Sequence, residues 1–274
     1  MKRLIVTADD AGLHRGMTDG AIRAHRDGIV TACSIVANGA AFDDAVGRLR
    51  DVPSLEVGVH LTLVEEKPLT RIRFPRKYTS FVPLYLARVI SIGAIERELR
   101  AQIEKVLATG LTITHLNGHQ HLHVLPRIFE VVKKLADEYL IDYVRIVNES
   151  GGQAILPVRK VSMRALSYFG RRARTGGRGR PPLHNDRTIG IADAGHLRGV
   201  ASLLDHVTEG VTELVTHPGV AVRGYDHWDY EWDDETRALC DPRLRGELAK
   251  RGIELIGPSA ITASAVVTSL QPRG

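Results

Sequence analysis

The sequence predicts an α/β protein: a TIM-like (β/α) barrel of seven parallel strands with an inserted basic lid segment. Two observations predict it. Short apolar runs rich in β-branched residues recur along the chain, and each is followed by a longer stretch with helical periodicity, the pattern of repeated βα units around a parallel sheet. The residues suited to chemistry also fall at or after the ends of those apolar runs, the end of a parallel barrel where loops converge.

Taken in order, the strands read as residues 4–8, 32–37, 57–63, 113–116, 143–147, 213–216 and 254–256. Residues 94–108 and 126–139 between them read as helices, the second with Pro126 in its first turn, where a missing N–H costs nothing. Residues 151–196 depart from the pattern. Gly176, Gly177 and Gly179 alternate there with Arg171, Arg172, Arg174, Arg178 and Arg180, which reads as a lid. Val161, Met163, Leu166, Tyr168 and Phe169, set among Arg159, Lys160 and Arg164, fit a basic amphipathic helix able to touch a membrane, or else a solvated face covering the barrel.

A chain of 274 residues suits a single barrel, so one domain over 1–274 is expected. With 43% hydrophobic and 25% charged residues it has the composition of a soluble globular protein, neither disordered nor membrane-spanning. Cys33 and Cys240 form no CxxC pair, which argues against a disulfide framework or a cysteine zinc site and favours a cytoplasmic location. Asp9 and Asp10 interrupt the first apolar run too early for a signal-peptide core. The net charge of +5 permits an anionic partner, yet the cations concentrate in the lid, so nucleic acid is not expected. The oligomeric state is not readable, and a homo-oligomer is compatible with the sequence.

Asp9 and Asp10 close the first strand ahead of Ala11 and Gly12. Two adjacent carboxylates there can diverge, one toward a metal and one toward a water, although an acidic pair before glycine is also an ordinary turn or cap. The stretch THLNGHQHLH places His115, His119, His121 and His123 around one strand end, four of the chain's 12 histidines. Neutral imidazole is a common metal ligand, so at least one should ligate while others pack or donate hydrogen bonds. His60 is a titratable ring inside an apolar strand, beside Gly58, which allows something to approach closely. His217, fixed by Pro218, can be a ligand, a general acid or a turn residue. Arg145 can hold a carboxylate in its charged form or form a surface salt bridge. The aromatic run 225–232 fits a sugar-stacking platform, an interface or a packed loop.

Taken together, TADDAG at 7–12, Val59-His60, the histidine-rich stretch 114–123 and Thr216-His217-Pro218-Gly219 resemble the YdjC-like carbohydrate deacetylases. On these motifs the resemblance spans nearly the whole barrel and leaves out 151–196 and the tail beyond Gly219. It implies a distorted (β/α) barrel with one divalent metal, magnesium or zinc, held by Asp10, His60 and His119. By the same resemblance Asp9 is the catalytic base, His217 the general acid and Arg145 an auxiliary group beside the base. The implied substrate is an acetylated amino sugar, from which a water deprotonated by Asp9 would remove the acetyl group. Ala11 departs from the phenylalanine usual after the Asp pair, which affects the pocket wall rather than the metal set. The long basic insertion and the 190–195 turn are similar to the branch associated with hopanoid biosynthesis. That branch implies an N-acetylglucosaminyl hopanoid as substrate, with chito-oligosaccharide as the alternative, and peripheral contact with membrane or lipid through the lid. Two rival readings are a phosphoesterase on the same barrel, which would need a second metal or a phosphate cradle, and a non-enzymatic module binding anions or lipid.

Overall fold

The computed structural model describes residues 1–150, 157–175 and 182–263, with the side chains of 157–163 and 175 left out. The glycines and arginines of 176–180 and the lid side chains before Arg164 lie outside the described residues. The elements run β1 Lys2–Ala11, α1 Arg15–Arg26, β2 Ala32–Ile35, α2 Phe42–Arg50, β3 Glu56–Leu61, α3 Tyr78–Leu86 and α4 Ile92–Leu107. There follow β4 Ile113–Gly118, α5 Pro126–Glu138, β5 Tyr143–Val144, α6 Pro157–Thr175, β6 Arg187–Ile189, β7 Gly210–Thr216, α7 Trp232–Leu239, α8 Leu244–Lys250 and β8 Ile253–Leu255.

All strand pairings are parallel, and the sheet curls through the order β5-β4-β3-β2-β1-β7-β6. β8 stands off this path, pairing the first residues of β1, while β2 pairs the later ones. The two ends of the path approach each other beyond β5, where Ser150 N–H donates to Thr188 O and Thr188 N–H to Asn148 O. This is the distorted (β/α) barrel that the alternation of strands and helices predicts. Strands buried on both faces need continuous apolar runs, and Leu4, Ile5, Val6, Ala8, Cys33, Ile35, Val57 and Val59 supply them.

Two differences from the sequence reading are physical. β6 falls inside the stretch 151–196, so the sheet takes up part of the expected lid. Three residues, Arg187 to Ile189, between Asp186 and Gly190 are too short to show a period. The expected strand 143–147 is only two residues long, because the chain then leaves β4 to bridge toward β6. Among the described residues no helix is long and apolar enough to cross a membrane.

Candidate active site

β1 positions the two aspartates through an irregularity. Its register with β2 runs Ala8↔Cys33 and then Ala11↔Ile35, so one extra residue is accommodated, and Asp10 takes a left-handed φ of 68°. Successive side chains on a regular strand point to opposite faces; the bulge instead lets both carboxylates reach the same rim.

Asp9 is held by three side chains. Its Oδ1 accepts from Ser34 Oγ at 2.7 Å, Asn117 Nδ2 at 3.0 Å and Arg145 Nη2 at 3.0 Å, while Oδ2 accepts from Arg145 Nη1 at 2.6 Å. Burial would raise its pKa, but the guanidinium wins and holds the carboxyl well below the usual range. Arg145 is fully buried rather than a surface salt bridge. Its Nε and Nη2 donate to Glu213 Oε1 at 2.9 and 2.8 Å, and Glu213 also accepts from Thr7 Oγ1 and Tyr143 OH. Two carboxylates on one guanidinium suit this depth, since a buried cation left unpaired is costly.

Asp10 Oδ1 lies 3.1 Å from His119 Nδ1 and 3.3 Å from His60 Nε2, and its Oδ2 lies 3.9 Å from His217 Nε2. Donor atoms of Asp10, His60 and His119 all lie within 4.8 Å of one another, all three residues are buried, and the group could hold a metal. The far nitrogens are tied as ligand nitrogens should be. His60 Nδ1 meets Asn117 Oδ1 at 2.7 Å, which assigns it the proton and turns the Nε2 lone pair inward; His119 Nε2 meets Glu65 Oε2 at 3.1 Å. A mixed imidazole and carboxylate set with outer acceptors fits a divalent ion.

His217 follows β7. Its backbone N–H donates to Glu235 Oε1 at 2.5 Å, its ring packs edge-on to Tyr230, and its buried Nδ1 has no hydrogen-bond partner. Burial pushes its pKa down, partly countered by Asp10 and Asp9. Gly195, at φ +79°, admits the Tyr230 ring where a Cβ would lie 2.1 Å away.

The other histidines of the motif serve differently. His115 is buried under Gly58, where a Cβ would come within 2.3 Å of its ring, so the close approach that Gly58 allows is that of an imidazole. Burial lowers His115 to about 4 and His123 to about 3, and His123 Nε2 meets Arg145 O at 3.0 Å. Gln120 and His121 take left-handed φ of 51° and 55°, and both line the site mouth.

A sequence profile described as YdjC-like protein matches residues 3–250. The chain belongs to the YdjC-like family. The match runs through 151–196 and past Gly219 to residue 250, correcting the expectation that both lie outside the resemblance. A carbohydrate deacetylase of Geobacillus stearothermophilus is 32% identical over 272 residues, covering 92% of this chain and 95% of that protein. One from Vibrio parahaemolyticus is 26% identical, covering 98% and 100%. A candidate cellobiose-phosphate cleavage protein from Enterococcus faecalis V583, solved by crystallography, superposes with a TM-score of 0.71 at 22% identity, over 94% of this chain and 98% of that one, a likeness of fold.

In this YdjC-like chain the site floors a cavity of about 770 Å³. Its lining combines polar and aromatic residues, among them Glu65, His227, Trp228 and Tyr230, with apolar ones, among them Val82, Pro83, Leu122, Leu125, Leu166 and Phe169. The aromatic run divides its roles. Trp228 stacks on His119 at 5.3 Å, and Trp232 packs with Leu13, Met17 and Val36. Sequence reasoning gave no role to Ser34, Glu65, Asn117 or Glu213. The readable signal was Glu213, an acidic residue in the middle of an apolar strand.

Proposed function

We propose that this chain is a metal-dependent carbohydrate N-deacetylase, hydrolysing the acetamide of an N-acetylglucosamine-containing substrate. The observation that carries it is the convergence of Asp10, His60 and His119 beside Asp9 and His217 on the cavity floor. Kinship with carbohydrate deacetylases supports it. Asp10, His60 and His119 would hold magnesium or zinc, which when bound polarises a carbonyl and acidifies water. Asp9 orients the attacking water and takes its proton at Oδ2, which has one donor and a lone pair to spare. Arg145 keeps Asp9 ionised. His217 gives a proton to the departing amine, and burial makes its imidazolium a readier donor.

The finer reading is a lipid-linked sugar, an N-acetylglucosaminyl hopanoid, rather than a chito-oligosaccharide. The apolar residues of the lining support it, since a free oligosaccharide would leave Val82, Leu125 and Phe169 against hydroxyls. The test is acetate release from a soluble chito-oligosaccharide and from a lipid-linked N-acetylglucosaminide, before and after chelator. Chelator-sensitive release is expected, faster on the lipid-linked substrate. No acetate from either, with metal bound, would turn the assignment to a phosphoesterase.

A further inference from the structure

The exposed apolar surface is unevenly placed. Of the eight large apolar side chains most exposed among the described residues, five fall in one stretch: Leu69, Tyr78, Leu84, Leu86 and Val89, the last two at 63% and 68%. Within α3 only Phe81 and Tyr85 are buried, a spacing that anchors one face. The opposite face of a surface helix should be polar. Here Leu86 stands on it, with Leu84 at its flank and Val89 just beyond the helix.

Charge is placed just as unevenly. From Lys67 to Ile95 there is no Asp or Glu, and there are six cations: Lys67, Arg71, Arg73, Arg76, Lys77 and Arg88, all exposed. A second acid-free stretch, 150–185, holds eight more of the chain's 37 Lys and Arg, among them the exposed Arg164 and Arg171 of α6. α3 and α6 both line the same cavity, through Tyr78, Thr79, Val82 and Pro83 of α3 and Ala165, Leu166 and Phe169 of α6. Leu166 and Phe169 of α6 turn to the cavity, while Tyr168 beside them is exposed.

We infer that α3 and the turn after it, residues 78–89, dock the cavity mouth onto an anionic lipid surface, with α6 contributing cations. Exposed apolar side chains in a stretch with exposed cations and no acid match the acyl boundary and headgroups of such a surface, whereas nucleic acid would use the cations and leave Leu86 and Val89 idle. The inference rests on the lipid-linked reading of the substrate, which would then pass into the cavity without crossing water.

The test is vesicle flotation with phosphatidylcholine alone and with added phosphatidylglycerol. The protein should float with the anionic vesicles, less so at high salt. In Leu86→Ser/Val89→Ser the partition coefficient should fall about tenfold or more, as expected for losing two inserted apolar side chains, and Val89→Ser alone should fall part of the way. Acetate release from a soluble chito-oligosaccharide should be unchanged in both variants, because neither residue lines the cavity. Absence of flotation in the wild type overturns the inference, as does flotation undiminished in both variants, or duplex DNA binding that outcompetes the vesicles. Flotation without acetate from any substrate leaves docking standing and removes the deacetylase reading instead.

Discussion

Two pairs of buried carboxyl groups lie in this barrel, and the protein treats them oppositely. Asp9 and Asp10, at the end of β1, face Arg145 and His119; burial opposes ionisation, yet the guanidinium beside Asp9 and the contact of Asp10 with His119 hold both well below the ordinary range. Among the described residues, Glu149 and Glu235 form no ion pair with a cation. Glu149 accepts from Ala192 N–H and Glu235 from His217 N–H, and each has a second buried oxygen without a partner. Burial there prevails, raising Glu149 to about 7 and Glu235 to about 8. The difference teaches that burial alone does not set protonation: Asp9 is charged because it is cationically matched, and Glu149 and Glu235 can stay neutral because they are not.

The hardest way to break the contrast is Arg145→Met. Asp9 and Glu213 would then be buried without their shared cation, and chemical denaturation should show a loss of about 3–5 kcal/mol; a variant as stable as wild type would refute the matching argument. Asp9→Asn asks whether the matched charge does chemistry. Turnover should fall by about two to four orders of magnitude while metal content, read by elemental analysis, is kept, and near-full activity would remove Asp9 from the base role.

Glu149→Gln and Glu235→Gln sharpen the other side. Between the ordinary glutamate range and about pH 7–8, the folded protein keeps protons that the unfolded chain has lost, so wild-type stability falls as pH rises through that window. Each variant should flatten this fall, gaining about 1–3 kcal/mol relative to wild type at pH 8 and little at pH 4; parallel stability curves would show that the two acids titrate normally. The smallest effect belongs to Thr188→Val. Thr188 is hydrogen-bonded to Glu149, and losing that bond should raise the midpoint of Glu149 by less than a unit in a carboxyl NMR titration, with no change for Glu235.

Much of this arrangement was legible in the sequence. β1 to β5 and β7 fall on the apolar runs, because strands buried on both faces must be apolar throughout. Asp9, Asp10, His60, His119, Arg145 and His217 all meet at one end of the barrel, because parallel strands point their carboxyl ends the same way. What could not be read depends on register and neighbours. Nothing in the composition of residues 8–11 announces the bulge that turns Asp10 inward. Nor do the spacings separate His119, held between Asp10 and Glu65, from His115, packed under Gly58. Asn117 and Ser34 gain importance only through residues dozens of positions away, as the bonds of both to Asp9 illustrate.

The bulge in β1 makes this site depend on how many residues lie between Ala8 and Ala11 and not only on which they are. Removing a single residue there would restore the regular pleat and swing one carboxylate toward the helix layer while leaving the apolar pattern of the strand, and hence the barrel, in place. A single-codon deletion or insertion there would therefore separate or rejoin the two carboxylates, an event that comparisons of residue identity alone would score as a gap.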